Sequence, residues 1–448
     1  MNVLPFNPAG ARATLKELPE ISAVFALYGE AAKAEPYIGR TPNLRGRLER
    51  LLLPSPKHPK RLQLAGRVRR IEWQLTGSEF ESLLAQFTLL EEVYGAKALE
   101  RMHLGAPSFV RFLGSNRFPR VVVTNRPSQR EADWAYGPFA SRAAAERFAD
   151  EALKLFLLRR CTDDLDPNPS HPGCVYSEMK MCLAPCYQGC TDERYAEEST
   201  AVERFLATRG ESRLVQLRTQ RDETSANLEF ESAASIHAQV QRAEAVRALA
   251  PELVRPLSQL RAVILQAAAE PDRVAVFFYE QGRLRGPAAF STMGMRIQNE
   301  QSGSSSLFAQ PMALEPLPEQ QGTGSREQGT VRDEGAEGQT DEEGLEAEEP
   351  AAKGTSKAAA KTAARAARGM LEERLEGVLA ALTNQPDAAN AVVRQGHLAL
   401  LKRWYYRPEV KRPGEIFFPD EENAWPLKAI LRGIGRIAAK SLTTSAMP

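Results

Sequence analysis

At 448 residues the chain is long enough for roughly two to four domains, and its 43% hydrophobic and 26% charged residues are ordinary for a water-soluble globular protein. No apolar run reaches about 18 residues, and Met1–Leu15 lacks the charged-then-apolar pattern of a secretory signal, so a cytoplasmic protein without a membrane partner is expected. The formal net charge of +1 conceals twelve acids against two Arg in residues 301–350, and the basic remainder suits a polyanionic partner such as nucleic acid.

The pattern predicts an α/β multidomain chain. Residues 16–100 read as a small α/β unit: strands over Ile21–Tyr28, Glu35–Arg40 and Ile71–Leu75, and a helix over Asn43–Leu53 with Leu44, Leu48, Leu51 and Leu52 on one side. Ser78 with Glu81 forms a capping-box pattern that opens a second helix to about Val93. Residues 101–160 form a connecting α/β segment, with a strand at Val121–Thr124, a turn-rich stretch at Tyr136–Ser141 and a helix at Arg142–Leu158.

All five cysteines fall in residues 161–190: Cys161, Cys174, Cys182, Cys186 and Cys190. In a reducing compartment that clustering points to a metal or an iron–sulfur centre rather than disulfides. Residues 191–250 are helical, broken at Gly210 and near Asn227, and Leu228, Ala233, Ile236, Val240, Ala243 and Val246 mark the seam of a helical hairpin. A small α/β domain is expected over 251–297 and 370–441, with a β-hairpin at Asp272–Phe290 turning at Gln281–Gly282. Its two parts are separated by a low-complexity insertion, 298–369, too poor in apolar residues to offset the entropy of ordering. The Ala- and Lys/Arg-rich end of that insertion, Ala351–Arg368, is a candidate transient basic helix.

Chemistry concentrates first at Tyr37–Ile38–Gly39–Arg40, followed by Asn43–Leu44–Arg45–Gly46–Arg47–Leu48. A strand would present the Tyr37 hydroxyl at a cleft, Gly39 would let backbone and phosphate approach closely, and the next helix would offer a guanidinium to that phosphate. The pattern resembles the second half of the GIY-YIG nuclease signature. Nine Lys/Arg and one acid, Glu49, lie between Asn43 and Arg70. Arg45, Arg50, Lys57, Lys60, Arg61, Arg67, Arg69 and Arg70 are the candidate phosphate contacts, adding a salt-dependent, sequence-independent affinity.

Further segments extend the resemblance. Leu157–Cys161 (LLRRC), Gly173–Cys174 and Met181–Cys186 (MCLAPC), preceded by Tyr136–Ser141, resemble the cysteine-rich segment of UvrC, the endonuclease subunit of bacterial excinuclease ABC. Asn227–Ala234 (NLEFESAA) resembles the start of the second helix of the UVR motif. The likeness covers about residues 16–250, and more weakly 251–300 and 366–440.

The resemblance implies a role in nucleotide excision repair on damaged double-stranded DNA, with UvrB as partner through the UVR hairpin at Glu229, Phe230 and Glu231. It implies that Cys161, Cys174, Cys182 and Cys186 hold a [4Fe–4S] cluster; four thiolates equally suit zinc, for which His171 could replace one ligand. In the nuclease domain it places Tyr37, Arg40 (where the family has Lys) and Arg47 in catalytic positions. It also marks losses: the GIY tyrosine falls on Phe25, and the Glu that binds Mg²⁺ or Mn²⁺ falls on Gln86. A neutral amide is a poor ligand for a hard divalent ion. Trp404–Tyr406 and Glu415–Pro419 resemble only the approach to the family's ribonuclease-H-like domain, so 5′-side incision is not expected of this chain. Two readings stay open: a DNA- and UvrB-binding protein with a degenerate site, and an active endonuclease making the 3′-side incision.

Overall fold

The computed structural model describes residues 1–30, 34–54, 64–127, 130, 133–162, 164–293, 295, 353–385 and 390–445. They divide into two units, Met1–Thr292 with Leu375–Pro448, and Met293–Arg374. The first unit carries three four-stranded sheets, each wholly antiparallel and each packed with helices, so the chain is a mixed α/β protein of several small layers.

The N-terminal sheet has strands β1 (Asn2–Pro5), β2 (Ala23–Gly29), β3 (Tyr37–Thr41) and β4 (Val68–Leu75) in the order β1-β4-β2-β3. This unit therefore starts at residue 2 rather than 16, because β1 pairs with β4 from Asn2↔Trp73 to Pro5↔Arg70. Helices α1 (Ala11–Lys16) and α2 (Leu44–Leu52) cover the sheet face that holds Phe25 and Leu27, against which α2 packs Leu44 and Leu48. The Asn43 side chain accepts the Gly46 N–H at 2.7 Å and starts α2. Helix α3 (Glu79–Tyr94) is capped by Ser78, and Glu81 accepts from Gly77 N–H at 2.8 Å, one residue beyond the usual capping-box partner. A short helix, α4 (Lys97–Arg101), follows.

The middle sheet runs β6 (Arg120–Thr124), β5 (Ser108–Leu113), β7 (Asp133–Phe139), β8 (Arg255–Pro256). Most of Tyr136–Ser141, expected as a turn, is strand. Gly137 and Pro138 together oppose the single Phe109, and this bulge lets a glycine–proline pair stay in the ladder. Helix α5 (Arg142–Leu153) packs on the sheet, and the cysteine segment follows with one short helix, α6 (Val175–Glu178).

Helix α7 (Asp192–Ala207) sends Tyr195, Val202, Phe205 and Leu206 into the same core as Val110, Phe112 and Phe148, so it completes the middle layer rather than the hairpin. The hairpin is α8 (Glu211–Ala226) against α9 (Phe230–Ala248), closed by Leu214, Leu217, Val240 and Ala243. Leu228, expected in that seam, is 73% exposed at the tip, where a left-handed backbone (φ 64°) turns its side chain out of the seam.

The third sheet is β11 (Arg283–Ser291), β10 (Arg273–Glu280), β9 (Arg261–Ala267), β12 (Glu415–Phe417), all antiparallel. Gln281 and Gly282 both have positive φ, as a two-residue hairpin turn of the favoured twist requires. Of the insertion expected at 298–369, residues 298–352 lie outside the described residues. Its end, the candidate basic helix at Ala351–Arg368, is helical from residue 353: α10 runs Lys353–Thr383, in keeping with its alanine-rich composition. Helices α11 (Ala391–Tyr405) and α12 (Leu427–Ser445) complete the third layer.

One core joins α3 to this third layer. Phe80, Leu83, Leu84, Phe87 and Leu90 cluster with Ile264, Phe277, Leu398, Leu401 and Trp404. Phe80 meets Phe277 edge-on at 5.2 Å between ring centroids. A Cβ on Gly396 would fall 2.0 Å from Phe87 Cζ, so only glycine lets α11 come this close to α3.

Candidate functional site

Strand alternation sorts the nuclease-like residues. Phe25 pairs directly with Gly39, so Tyr37, Gly39 and Thr41 share the α2 face, while Ile38 and Arg40 share the opposite one. On the α2 face, Arg47 Nη2 donates to the Tyr37 hydroxyl at 3.2 Å. Both side chains are half-buried, so the pair meets water at the rim of the sheet.

The fully buried Phe25 ring lies over Gly39, and a Cβ there would stand 2.9 Å from Phe25 Cζ. Gly39 was expected to admit a phosphate to the backbone; on this face the phenyl ring takes that space. The structure thus gives Gly39 a packing reason.

Arg40 does not join Tyr37 and Arg47. Its Nη1 lies 3.5 Å from Glu79 Oε1, and Glu79 is gripped by both guanidinium nitrogens of Arg407, at 2.7 and 3.0 Å. The Arg407 hydrogen bonds, then the Arg407 and Arg40 charges, hold the Glu79 carboxyl below its ordinary range. No local sequence signal could have shown this pairing, because Arg407 is 328 residues away along the chain.

At the other end of α3, Tyr94 Oη donates to the Pro36 carbonyl at 3.0 Å. Helix α3 therefore runs antiparallel to β3, with the stripe Glu79, Leu83, Gln86, Leu90 and Tyr94 toward the strand. Gln86 belongs with Ile38 and Arg40, not with the Tyr37–Arg47 face. Glu81 is not a substitute acid: its carboxylate is committed to the Gly77 N–H, and burial raises its pKa.

The candidate phosphate contacts are mostly tied locally. Arg45 donates to the Leu18 carbonyl at 2.7 Å and to Glu20 at 2.6 Å, and Arg50 donates to the Gly46 carbonyl. Arg69 reaches Glu30 at 3.3 Å; Arg70 pairs with Glu72 at 2.9 Å and stacks on Tyr28. Arg67 is exposed. Lys57, Lys60 and Arg61 lie outside the described residues.

The cysteine segment is held by backbone bonds, Leu183 N–H to Leu157 O at 3.0 Å and Asn168 N–H to Cys186 O at 2.9 Å. All five thiols are free and half-buried. Burial first, then the neighbouring Cys161, Cys174 and Cys186, pushes the Cys182 thiol up to about 11. Cys186 is raised by burial and by Cys174 and Cys161 in the same way. Cys190 stands apart, raised by burial and then by Asp192, with only Cys186 among its thiol neighbours.

Donors already face two of these sulfurs: Ala184 N–H at 3.3 Å from Cys182 Sγ and Arg159 Nη1 at 3.5 Å from Cys161 Sγ. His171 is engaged otherwise, its Nδ1 accepting the Gly173 N–H at 3.0 Å. Among the described residues, no three His, Cys, Asp or Glu side chains stand at single-ion ligating geometry. Cys161, Cys174 and Cys186 all lie near enough to Cys182 for their charges to act on it, and two of these four sulfurs face N–H donors of the kind that tune thiolate-bound sites.

At the hairpin tip Phe230 is 63% exposed beside Leu228, and Glu229 and Glu231 are exposed with it. A wider cavity of about 1190 Å³, lined by Trp134, Arg126, Leu257 and Leu398 among others, contains none of the candidate catalytic, phosphate-contact, partner or metal residues named from the sequence. Among the described residues no helix is long and apolar enough to cross a membrane.

Comparison with known proteins matches residues 109–205 to the family model of the UvrC/Cho excinuclease middle domain, which spans β5 to α7. The UvrABC system protein C of Alcanivorax borkumensis is 31% identical over 211 residues, 47% of this chain and 34% of that protein. Those of Ruminiclostridium cellulolyticum and Symbiobacterium thermophilum are 28% and 27% identical, over 65% and 67% of this chain and 47% of each relative. No solved structure matches. The chain spans a third to a half of the length of these relatives. Residues 109–205 thus carry a UvrC/Cho-type middle domain, and the chain is similar to UvrABC system protein C over up to two thirds of its own residues.

Proposed function

We propose that the chain acts in nucleotide excision repair as a UvrC-like protein that binds damaged double-stranded DNA and docks on UvrB, with a GIY-YIG-type site that does not cut. The observation that carries the absence of cutting is the Phe25 ring seated over Gly39, with Arg40 turned to the opposite face of β3 and tied to Glu79. A tyrosine hydroxyl is missing from the Tyr37 face, and the residue in the metal-ligand position is a neutral amide. Without a divalent ion the charge developing on the scissile phosphate loses its main stabiliser.

Docking is supported by the exposed Leu228 and Phe230 at the tip of the α8–α9 hairpin, apolar side chains that the chain's own cores leave in water. For the cysteines, Cys161, Cys174, Cys182 and Cys186 would hold the centre and Cys190 would not. A tetrahedral zinc ion, with Zn–S about 2.3 Å, draws its sulfurs to within about 4 Å of one another. A cubane cluster spreads its four sulfurs further apart, and the clustering of the cysteines in one segment is what supports it here. The centre's part here is to brace the segment between the middle sheet and the hairpin.

The alternative, an active endonuclease making the 3′-side incision with Mg²⁺ or Mn²⁺, is favoured by one feature, the retained Tyr37–Arg47 hydrogen bond. Isothermal titration of the chain with UvrB from the same organism tests the docking claim. A saturable one-to-one complex is expected, and no heat of binding at micromolar concentrations overturns it.

A further inference from the structure

Where α5 ends, the cysteine segment and α9 enclose an open pocket of about 430 Å³, lined by Glu151, Lys154, Arg160, Lys180 and Arg242 with Met181 at its side. Four of these side chains are cationic. The one carboxylate, Glu151, is held by Lys154 at 2.6 Å, a contact that lowers its pKa, with Arg147 and Arg242 adding to the effect. Lys154 also offsets the partial negative charge at the C-terminus of α5.

Arg160 is the unusual member. Its Nε and Nη2 are shielded from water and have no hydrogen-bond partner, while the guanidinium lies 5.9 Å from the Tyr176 ring. Donors left in this state are costly, and an oxyanion in the pocket would supply the missing acceptors. The planar fork of arginine matches phosphate oxygens in pairs. Lys180 reaches the pocket from a left-handed backbone (φ 54°) held by its N–H to Ser177 O at 3.0 Å, a conformation rare for a residue with a side chain. Lys180 and Arg242 are exposed and meet across the pocket from separate elements.

We propose that Arg160, Lys180 and Arg242 form a phosphate-binding pocket through which the chain grips a nucleic-acid backbone beside its cysteine segment. The proposal rests on the reading above that the chain binds DNA, and adds a site outside the nuclease-like unit. A polyphosphate backbone is favoured over an acidic peptide because the chain outside residues 301–350 is strongly basic, the field a polyanion follows.

The test is fluorescence anisotropy of a labelled duplex with the full chain over a range of salt concentrations. Lys180→Gln with Arg242→Gln, both at exposed positions, is expected to lower the slope of log K against log salt by about 2 and to weaken duplexes of any sequence alike. Arg160→Gln is expected to weaken binding as well, with a melting temperature no lower than that of the wild type, since it removes two unpartnered buried donors. Arg432→Gln, on exposed α12 surface, serves as the control and should bind as wild type does. Wild-type affinity and slope in both pocket variants would overturn the pocket while leaving DNA binding in place. Failure of the wild-type chain to bind any duplex would overturn the DNA reading itself. Displacement of a bound label by poly-glutamate, but not by unlabelled duplex, would reassign the pocket to an acidic peptide and overturn the proposal.

Discussion

Helix α3 and the tip of the α8–α9 hairpin both carry large apolar side chains, and the molecule uses them in opposite ways. In α3, Phe80 and Phe87 are buried among Phe277, Trp404 and His397, which welds the nuclease-like unit to the third sheet. At the hairpin tip, Leu228 and Phe230 stay in water with no core beneath them. The first arrangement converts apolar surface into stability; the second leaves it in water, which is what the proposed docking on a partner would use. Helix α3 acts as a structural brace, with its apolar side chains in the shared core and Glu79 locked to Arg407.

The contrast breaks if substitutions in the two regions act alike. The largest expected effect is Phe87→Ala, which empties the centre of the α3 core and should cost about 3–5 kcal/mol in a denaturant titration. Gly396→Ala attacks the same contact from the other side. It places a methyl 2.0 Å from the Phe87 ring and should cost about 1–3 kcal/mol by overpacking.

Phe230→Ala should leave stability within about 0.5 kcal/mol, as expected of an exposed position. If the tip is an interface anchor, the same change should weaken UvrB binding by roughly 2 kcal/mol, about thirtyfold, by calorimetry. A lowered melting temperature with unchanged affinity would make Phe230 part of the fold instead.

Between these extremes stands the cysteine segment. Anaerobically purified protein should be brown with about four iron and four sulfide per chain. Cys182→Ala should lose them and Cys190→Ala should keep them. Colourless protein with one zinc would sharpen the account to a single-ion site.

A separate effect is a pH dependence of the α3 core. His397 is buried, its Nδ1 accepts the Leu284 N–H at 3.0 Å, and burial followed by the Arg283 charge pushes its pKa down to about 4. An unfolded-state pKa of about 6.5 means the unfolded chain binds this proton first. Stability is therefore fully present above about pH 6.5 and declines as pH falls toward 4. His397→Gln should be less stable at pH 7 but flatter over that window in thermal melts. An equally steep slope in the variant would assign the dependence to other groups.

Sequence was most legible where the deciding chemistry is local. The Gln281–Gly282 turn, the Ser78 cap and the helix breaks at Gly210 and near Asn227 each depend on a few adjacent residues, and each stands in the structure where its pattern puts it. Reading failed where distant pairing decides. Strand β1 is an unremarkable Asn-Val-Leu-Pro until β4 supplies its partner, and Gly137–Pro138 reads as a turn until Phe109 lies opposite.

The candidate site shows the same division. Spacing alone could bring Tyr37 and Arg47 together across one turn from strand to helix. It could not reveal that Phe25 covers Gly39, or that Arg40 shares Glu79 with a residue near the far end of the chain. Nor could it separate Leu228 from the hairpin seam, since a left-handed residue at the tip breaks the periodicity that carried the seam up to it.

The central claim is that the nuclease-like unit has kept its fold and lost its cut. The direct measurement is a nicking assay on a damaged duplex loaded with UvrB, in Mg²⁺ and in Mn²⁺, comparing the wild-type chain with Arg47→Ala and Gln86→Glu. We expect no metal-dependent nick 3′ to the lesion from the wild type, although it binds the complex. A wild-type nick that requires the metal and disappears in Arg47→Ala would contradict the account.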